Sequence, residues 1–174
     1  MARWRLELRS QSIRIHIVLH GNEAADARTG DVARQRKHIA VKRAAQRAAE
    51  VFLRRRLFRR VSDGRIINAE FVLLHYPLYY HYDFLGGLKA MTQIGCIGDP
   101  RCIEALELLE HKRLPDGGWP AEKRFYRTPT KTTARTMTSN VDYVKWGETS
   151  KRRLNEWVTV DALSVLRAAG RLDA

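Results

Sequence analysis

Between Ala33 and Arg60, apolar residues recur at three- and four-residue steps: Ile39, Val41, Ala44, Ala45, Ala48, Phe52, Leu53, Leu57 and Phe58. The positions between them are largely Arg and Lys. This is the period of an amphipathic helix with one basic face. "VSDGR" at 61–65 ends it by turn chemistry. In "YPLYYHYDFLGGLKAMTQIG" a second helix is predicted after Pro77, with Phe84, Leu85, Leu88 and Met91 as its apolar stripe and Gly95 as its stop. "GDPRCIEALELLEHKRL" predicts a third. Asp99 is its N-cap, Pro100 its first residue, and Ile103, Leu106, Leu109 and Leu114 its core-facing positions. "PDGGWP" closes that helix. A polar, Thr-rich connection over 120–150 leads to "NEWVTVDALSVLRAAGRL". There Asn155 caps a fourth helix, Val160, Leu163 and Leu166 carry the stripe, and Gly170 ends it.

Residues 1–30 follow a different rule. "LELRSQSIRIHIVLH" alternates, with Ile13, Ile15 and Ile17 on one face, which is the period of a strand. Three readings stay open for this extension: a short β strand, a poorly ordered segment, or a start placed too early.

The helical part repeats itself. A helix, an Asp63-Gly64 turn, a loop and a helix ending at Gly95 are followed by a helix, an Asp116-Gly117 turn, a longer loop and a helix ending at Gly170. Aligning the two terminal glycines sets Tyr82 against Trp157 and Leu88 against Leu163. The expected fold is all-α, a domain over 31–174 made of two helix–loop–helix repeats, about 33–95 and 99–170.

Composition changes the picture mainly through charge. The chain has 174 residues and a net charge of +13. Residues 1–60 hold 16 Lys/Arg against 5 Asp/Glu, whereas residues 61–174 hold 16 against 14. The excess therefore belongs to the first third. A solvated helix face and a site for an anionic partner both fit it. Two cysteines, Cys96 and Cys102, make neither a disulfide framework nor a zinc site. Reduced thiols in the cytoplasm are the default expectation. No apolar run reaches the roughly 18 residues of a membrane span.

"ALELLEHKRLPDGGW" resembles the QW repeat of the squalene cyclase and protein prenyltransferase superfamily. That repeat has an apolar helix, a Gln, three residues, a Gly, one residue and a Trp. Gly117, Gly118 and Trp119 match it, with Asp116 in the same turn, but Arg113 stands at the Gln position. "NEWVTVDALSVLRAAGRL" looks like the inner helix after such a turn. "LFRRVSDGRIINAEF" and "HYPLYYHYDFLGGL" look like the preceding, more degenerate repeat. The resemblance spans about Ala33 to Leu172 and is nearest to small bacterial members of the superfamily. It implies an α/α toroid, of which this chain would form an arc. An arc leaves inner-helix surface uncovered, so it implies a homo-oligomer or an upstream toroid partner.

The resemblance also says which chemistry to look for. Cyclases of this type protonate an alkene with an aspartic acid of a DxDD motif in a dry, aromatic-walled cavity. No DxDD is present, and Asn155, Glu156, Trp157 and Val158 occupy the place before the last inner helix. The corresponding acid of oxidosqualene cyclases, two residues before a Thr, would fall at Trp157. Prenyltransferases hold zinc with Asp, Cys and His. Asp142 is present, but Val144 replaces the Cys, and no His follows His111. No metal or other cofactor is expected.

Some candidates remain. "HYPLYYHYD" gathers His75, Tyr76, Tyr79, Tyr80, His81, Tyr82 and Asp83. On a helix that began at Pro77, Tyr79, Tyr82 and Asp83 would share one face. They could line an apolar-ligand site with a His/Asp pair, or they could be packing at a helix start, with Asp83 satisfying backbone or Arg groups. Asp161 either lines a cavity or pairs with an Arg on a neighbouring helix. Trp146, in "VDYVKWGETSKRR", is either a plug over a cavity mouth or part of a solvated connection, and Trp157 would join the ligand wall.

The run Arg54, Arg55, Arg56, Arg59 and Arg60 could hold phosphates. In the family setting Arg55 and Arg59 would hold the diphosphate of a prenyl donor. No nucleic-acid motif accompanies the run, so sequence-specific DNA or RNA binding is not expected, while peripheral contact with an anionic membrane is compatible with it. Three functions are thus in play: a protein handling an isoprenoid or similar apolar ligand, a scaffold that kept a fold and lost its chemistry, and a basic helix over 34–60 that binds nucleic acid or an anionic membrane surface.

Overall fold

The structure is a computed structural model that describes residues 30–128 and 141–172, and side chains from residue 39 onward. The alternating stretch around Ile13, Ile15 and Ile17 and the Thr-rich stretch 129–140 lie outside the described residues. Among the described residues four α-helices form: α1 (Gly30–Leu53), α2 (Phe84–Ile94), α3 (Ile103–His111) and α4 (Glu156–Ala168). Short 3-10 turns occupy Ala69–Val72 and Pro100–Cys102. Among the described residues the extended backbone makes isolated bridges, such as Arg59 with Ile66 and His75 with Lys123, and no strand. The described chain is all-α.

α2 is the central element. It packs against α1, α3 and α4. Phe84, Leu85, Leu88, Met91 and Ile94 are buried along it, in one core with Phe52 and Leu53 from the end of α1, Leu57 and Phe58 from the turn after it, and Leu106 and Leu109 from α3. Two glycines inside its first turns cost roughly 1 kcal/mol each in helix propensity. Close packing explains them. A Cβ on Gly87 would meet the Tyr82 hydroxyl and, at 2.7 Å, Leu57 Cδ2; one on Gly86 would lie 2.6 Å from Leu78 Cδ1.

Several sequence expectations need correction. α1 stops at Leu53 and does not reach Arg60. The Leu57 N–H donates to Phe52 O at 3.0 Å and the Arg56 N–H to Leu53 O at 2.9 Å, the two bonds of a Schellman cap. Arg56 (φ 41°) takes the left-handed position that glycine usually fills, followed by Leu57 at φ 68°. The turn places Leu57 and Phe58 in the core, and their burial offsets the backbone cost.

α2 begins at Phe84, later than the expected start after Pro77. Tyr79, with φ 49°, and Tyr82 precede it, so Tyr79, Tyr82 and Asp83 share no helical face. Asp83 is the N-cap, and its side chain accepts the Gly86 N–H.

The stripe on α4 is rotated. Val158, Ala162, Val165 and Leu166 are buried, while Val160 and Leu163 face out with Trp157. Ile103 on α3 is likewise exposed. The predicted cap Asn155 and the left-handed Gly95 stop form; Asp99 caps the 3-10 turn Pro100–Cys102, so α3 begins at Ile103 and not at Pro100.

Candidate functional site

Three places gather the chemically interesting residues. The first surrounds His75. Asp83 Oδ1 caps α2, and its Oδ2 accepts the His75 backbone N–H at 2.9 Å. The His75 ring lies 3.6 Å from Asp83 Oδ2, so the expected His/Asp pair meets chiefly through the backbone. His75 Nδ1 lies 3.0 Å from Leu73 O, which can only accept, so Nδ1 carries the proton. Nε2 then faces Glu70 Oε2 at 3.4 Å, and neither atom has a hydrogen-bond partner among the described residues. Glu70 Oε1 is held by Lys123 at 2.7 Å, a bond that lowers the pKa of this carboxyl.

Phe125 seals this group. His75 and His81 both stack on its ring, at centroid distances of 4.3 and 3.6 Å. Two rings that close cannot share one face, so they lie on opposite sides. His75 and Asp83 side chains are fully buried. A buried His–carboxylate constellation could move a proton; here His75 and Asp83 are enclosed, and Glu70, partly exposed, is the carboxylate that reaches the surface. Tyr82 is part of the core. Its hydroxyl donates to Leu57 O at 2.7 Å, its ring packs on Phe71, and burial holds its pKa far above the usual phenol value. Tyr79 is exposed and meets only the edge of Tyr126 among the described rings.

The second place is the Gly-Gly-Trp turn. Trp119 is completely buried. Its Nε1 donates to Leu109 O at 2.6 Å, its backbone N–H donates to Thr159 Oγ1 at 3.0 Å, and its carbonyl accepts the Asn155 N–H at 2.7 Å. One residue thus ties the end of α3 to the start of α4. Gly118 is required by that closeness, since a Cβ would lie 2.6 Å from Leu154 Cβ. Asp116 Oδ1 accepts the Gly118 N–H, and Gly117 sits at φ 88°. Arg113 lies 5.5 Å over the Trp119 ring and donates to Gly117 O. The motif is structural.

The third place is an aromatic corner. Tyr76, Trp146 and Trp157 lie with all three ring centroids 5.7 Å apart. Tyr76 stacks on Trp157, and Trp146 stands edge-on to both. Trp146 Nε1 donates to Asp142 Oδ2 at 2.5 Å, and its carbonyl accepts from Asn155 Nδ2. Asp161 does not face open space: Lys89 of α2 pairs with it at 2.6 Å. Tyr76 belongs to the aromatic cluster legible at 75–83, but the sequence around it carries no sign of two tryptophans far downstream.

The arginine run is mostly engaged. Arg54 pairs with Glu50, Arg56 and Arg59 with Glu104, and Arg60 with Asp63. Arg55 donates to Val51 O. Arg101, between Asp99 and Glu50, joins the same set. Among the described residues no group of three or more His, Cys, Asp or Glu is placed to hold a metal ion, and no described helix is long and apolar enough to cross a membrane.

The fold and its corners therefore define a class: an all-α protein whose acid, base and arginine candidates are bonded into the scaffold. No family model, curated protein or solved structure matches the chain.

Proposed function

We propose that this protein is a non-catalytic helical-repeat scaffold, a partial α/α-toroid arc of the cyclase and prenyltransferase type, and that it pairs with a second copy of itself through the outer face of α4. One comparison within the chain carries the reading. Counted from their N-caps, Leu85, Leu88 and Met91 of α2 are equivalent to Trp157, Val160 and Leu163 of α4. The α2 set is buried, whereas the α4 set is 46%, 60% and 37% exposed. Aligning Gly95 with Gly170 instead sets Tyr82, Leu85 and Leu88, again buried, opposite the same three residues. The face that α2 buries against its neighbours is thus uncovered on α4, with Tyr143, Val144 and Leu154 also exposed on the segment before it. An apolar face of this kind favours association. Sedimentation velocity over micromolar to millimolar concentrations tests it. A dimer is expected, and Val160→Glu with Leu163→Glu, both at exposed positions, should yield a folded monomer. A wild-type protein that stays monomeric throughout overturns self-pairing; a stable complex with an upstream helical chain, broken by the same changes, would replace the second copy as occupant.

A second reading keeps the isoprenoid. The half-exposed Tyr76–Trp146–Trp157 corner, beside the Lys89–Asp161 pair, favours it. Farnesyl diphosphate that quenches tryptophan fluorescence in the wild type and not in Trp157→Ala would support it; no quenching at millimolar ligand would eliminate it.

A further inference from the structure

We propose that the exposed face of α1 around Lys42, Arg43 and Arg47 binds the phosphate backbone of nucleic acid without reading its sequence. The folded chain moves the basic site. Glu50, Asp63, Asp99 and Glu104 compensate the arginines near the end of α1, together with Arg101. Lys42, Arg43, Gln46 and Arg47 stand one to two turns earlier on the helix. All four are exposed. No carboxylate lies within ion-pair distance of the three cations among the described residues. Arg43 and Arg47, four residues apart, occupy neighbouring positions on one face, and Lys42 and Gln46 flank them as the adjacent row. Uncompensated cations in a row are complementary to a regularly spaced polyanion, and guanidiniums suit phosphate oxygens by their paired donors.

The occupant follows from the other side of the helix. Ala45, Ala49, Phe52 and Leu53 are buried in the core. Among the described residues of α1, Ile39 is exposed, but the apolar side from Ala45 onward is taken up by the core and leaves little to lay into a bilayer, as a membrane-surface helix needs. Its C-terminal half is anchored to the core through Ala49, Phe52 and Leu53 and pairs with Arg101 through Glu50, so the cations stand on a helical rod held by the core. Long cationic side chains on such a rod meet phosphates and not base edges, which gives affinity without sequence preference.

Fluorescence anisotropy with two short labelled DNA duplexes of unrelated sequence tests this. Both should bind alike. With three phosphate contacts, affinity should fall roughly 40-fold between about 50 and 200 mM salt. Lys42→Gln/Arg43→Gln/Arg47→Gln should remove about 2.7 from the slope of log affinity against log salt. Arg54→Gln/Arg60→Gln, which touches paired arginines, should leave that slope unchanged. Circular dichroism melts confirm that each variant folds. Absence of duplex binding at the low salt overturns the proposal. So does a triple variant with the wild-type slope, a strong preference between the duplexes, or binding to phosphatidylserine vesicles in place of DNA.

Discussion

Asp83 illustrates how a residue that invites a catalytic reading becomes structural once its neighbours are known. Its two carboxylate oxygens are spent on two backbone donors, Gly86 N–H and His75 N–H. Asp83→Ala should therefore cost about 2–4 kcal/mol, combining a lost cap with an orphaned buried N–H. Asp83→Asn keeps one acceptor oxygen and should cost less. Urea unfolding measures both. A variant as stable as the wild type would show that Asp83 is free to serve another purpose. Trp119 carries the same lesson. Its place in a Gly-Gly-Trp turn was legible, because glycine and proline end helices by local chemistry. Its partners Asn155 and Thr159 were not, since they lie far downstream and nothing local encodes the meeting.

At the scale of elements, ends were easier to read than faces. Asp99, Asn155 and Gly95 act within a few residues of themselves, so their roles followed from type and spacing. The end of α1 was missed because Arg56 stands where glycine is the usual signal. Arg56→Gly should remove backbone strain of roughly 1 kcal/mol and raise Tm by about 2–4 °C, as read by calorimetry. Its pair with Glu104, 3.9 Å apart and well exposed, adds too little to reverse the sign. Acid should act through the Asp99 cap. The Arg101 side-chain bond lowers the Asp99 pKa in the folded chain. A carboxyl lowered on folding stabilises fully above its unfolded value, about 3.9, and loses that contribution as pH falls through the folded value. Stability should thus drop below about pH 4, and Asp99→Asn should flatten the dependence in that window. Urea midpoints across the acid range check it; equal slopes in both proteins would exclude Asp99 as the cause.

For the whole molecule, the two repeats differ in what surrounds them. α2 is enclosed by α1, α3 and α4, whereas α4 has one covered side and one open. If a second copy closes that side, the midpoint of thermal unfolding must rise with protein concentration, since association stabilises by mass action. A Tm independent of concentration, in the wild type as in Val160→Glu/Leu163→Glu, would show that the open face stays wet. Charge has a whole-molecule aspect too. The arginine run was visible in the sequence, but its pairing with Glu104, far along the chain, was not, and among the described residues Lys42, Arg43 and Arg47, nearer the middle of α1, have no carboxylate partner.

By itself the sequence determined the helical class, three of the helix boundaries and the turn that holds Trp119. Each is written in contacts only a few residues long, where backbone dihedrals and caps decide the outcome. The tertiary structure alone decided which side of α4 is buried, that His75 is sealed beneath Phe125, and which arginines are paired. Those outcomes depend on groups far apart in the chain. A helical stripe shows only that a residue can face a neighbour, while the neighbour's presence decides whether it does.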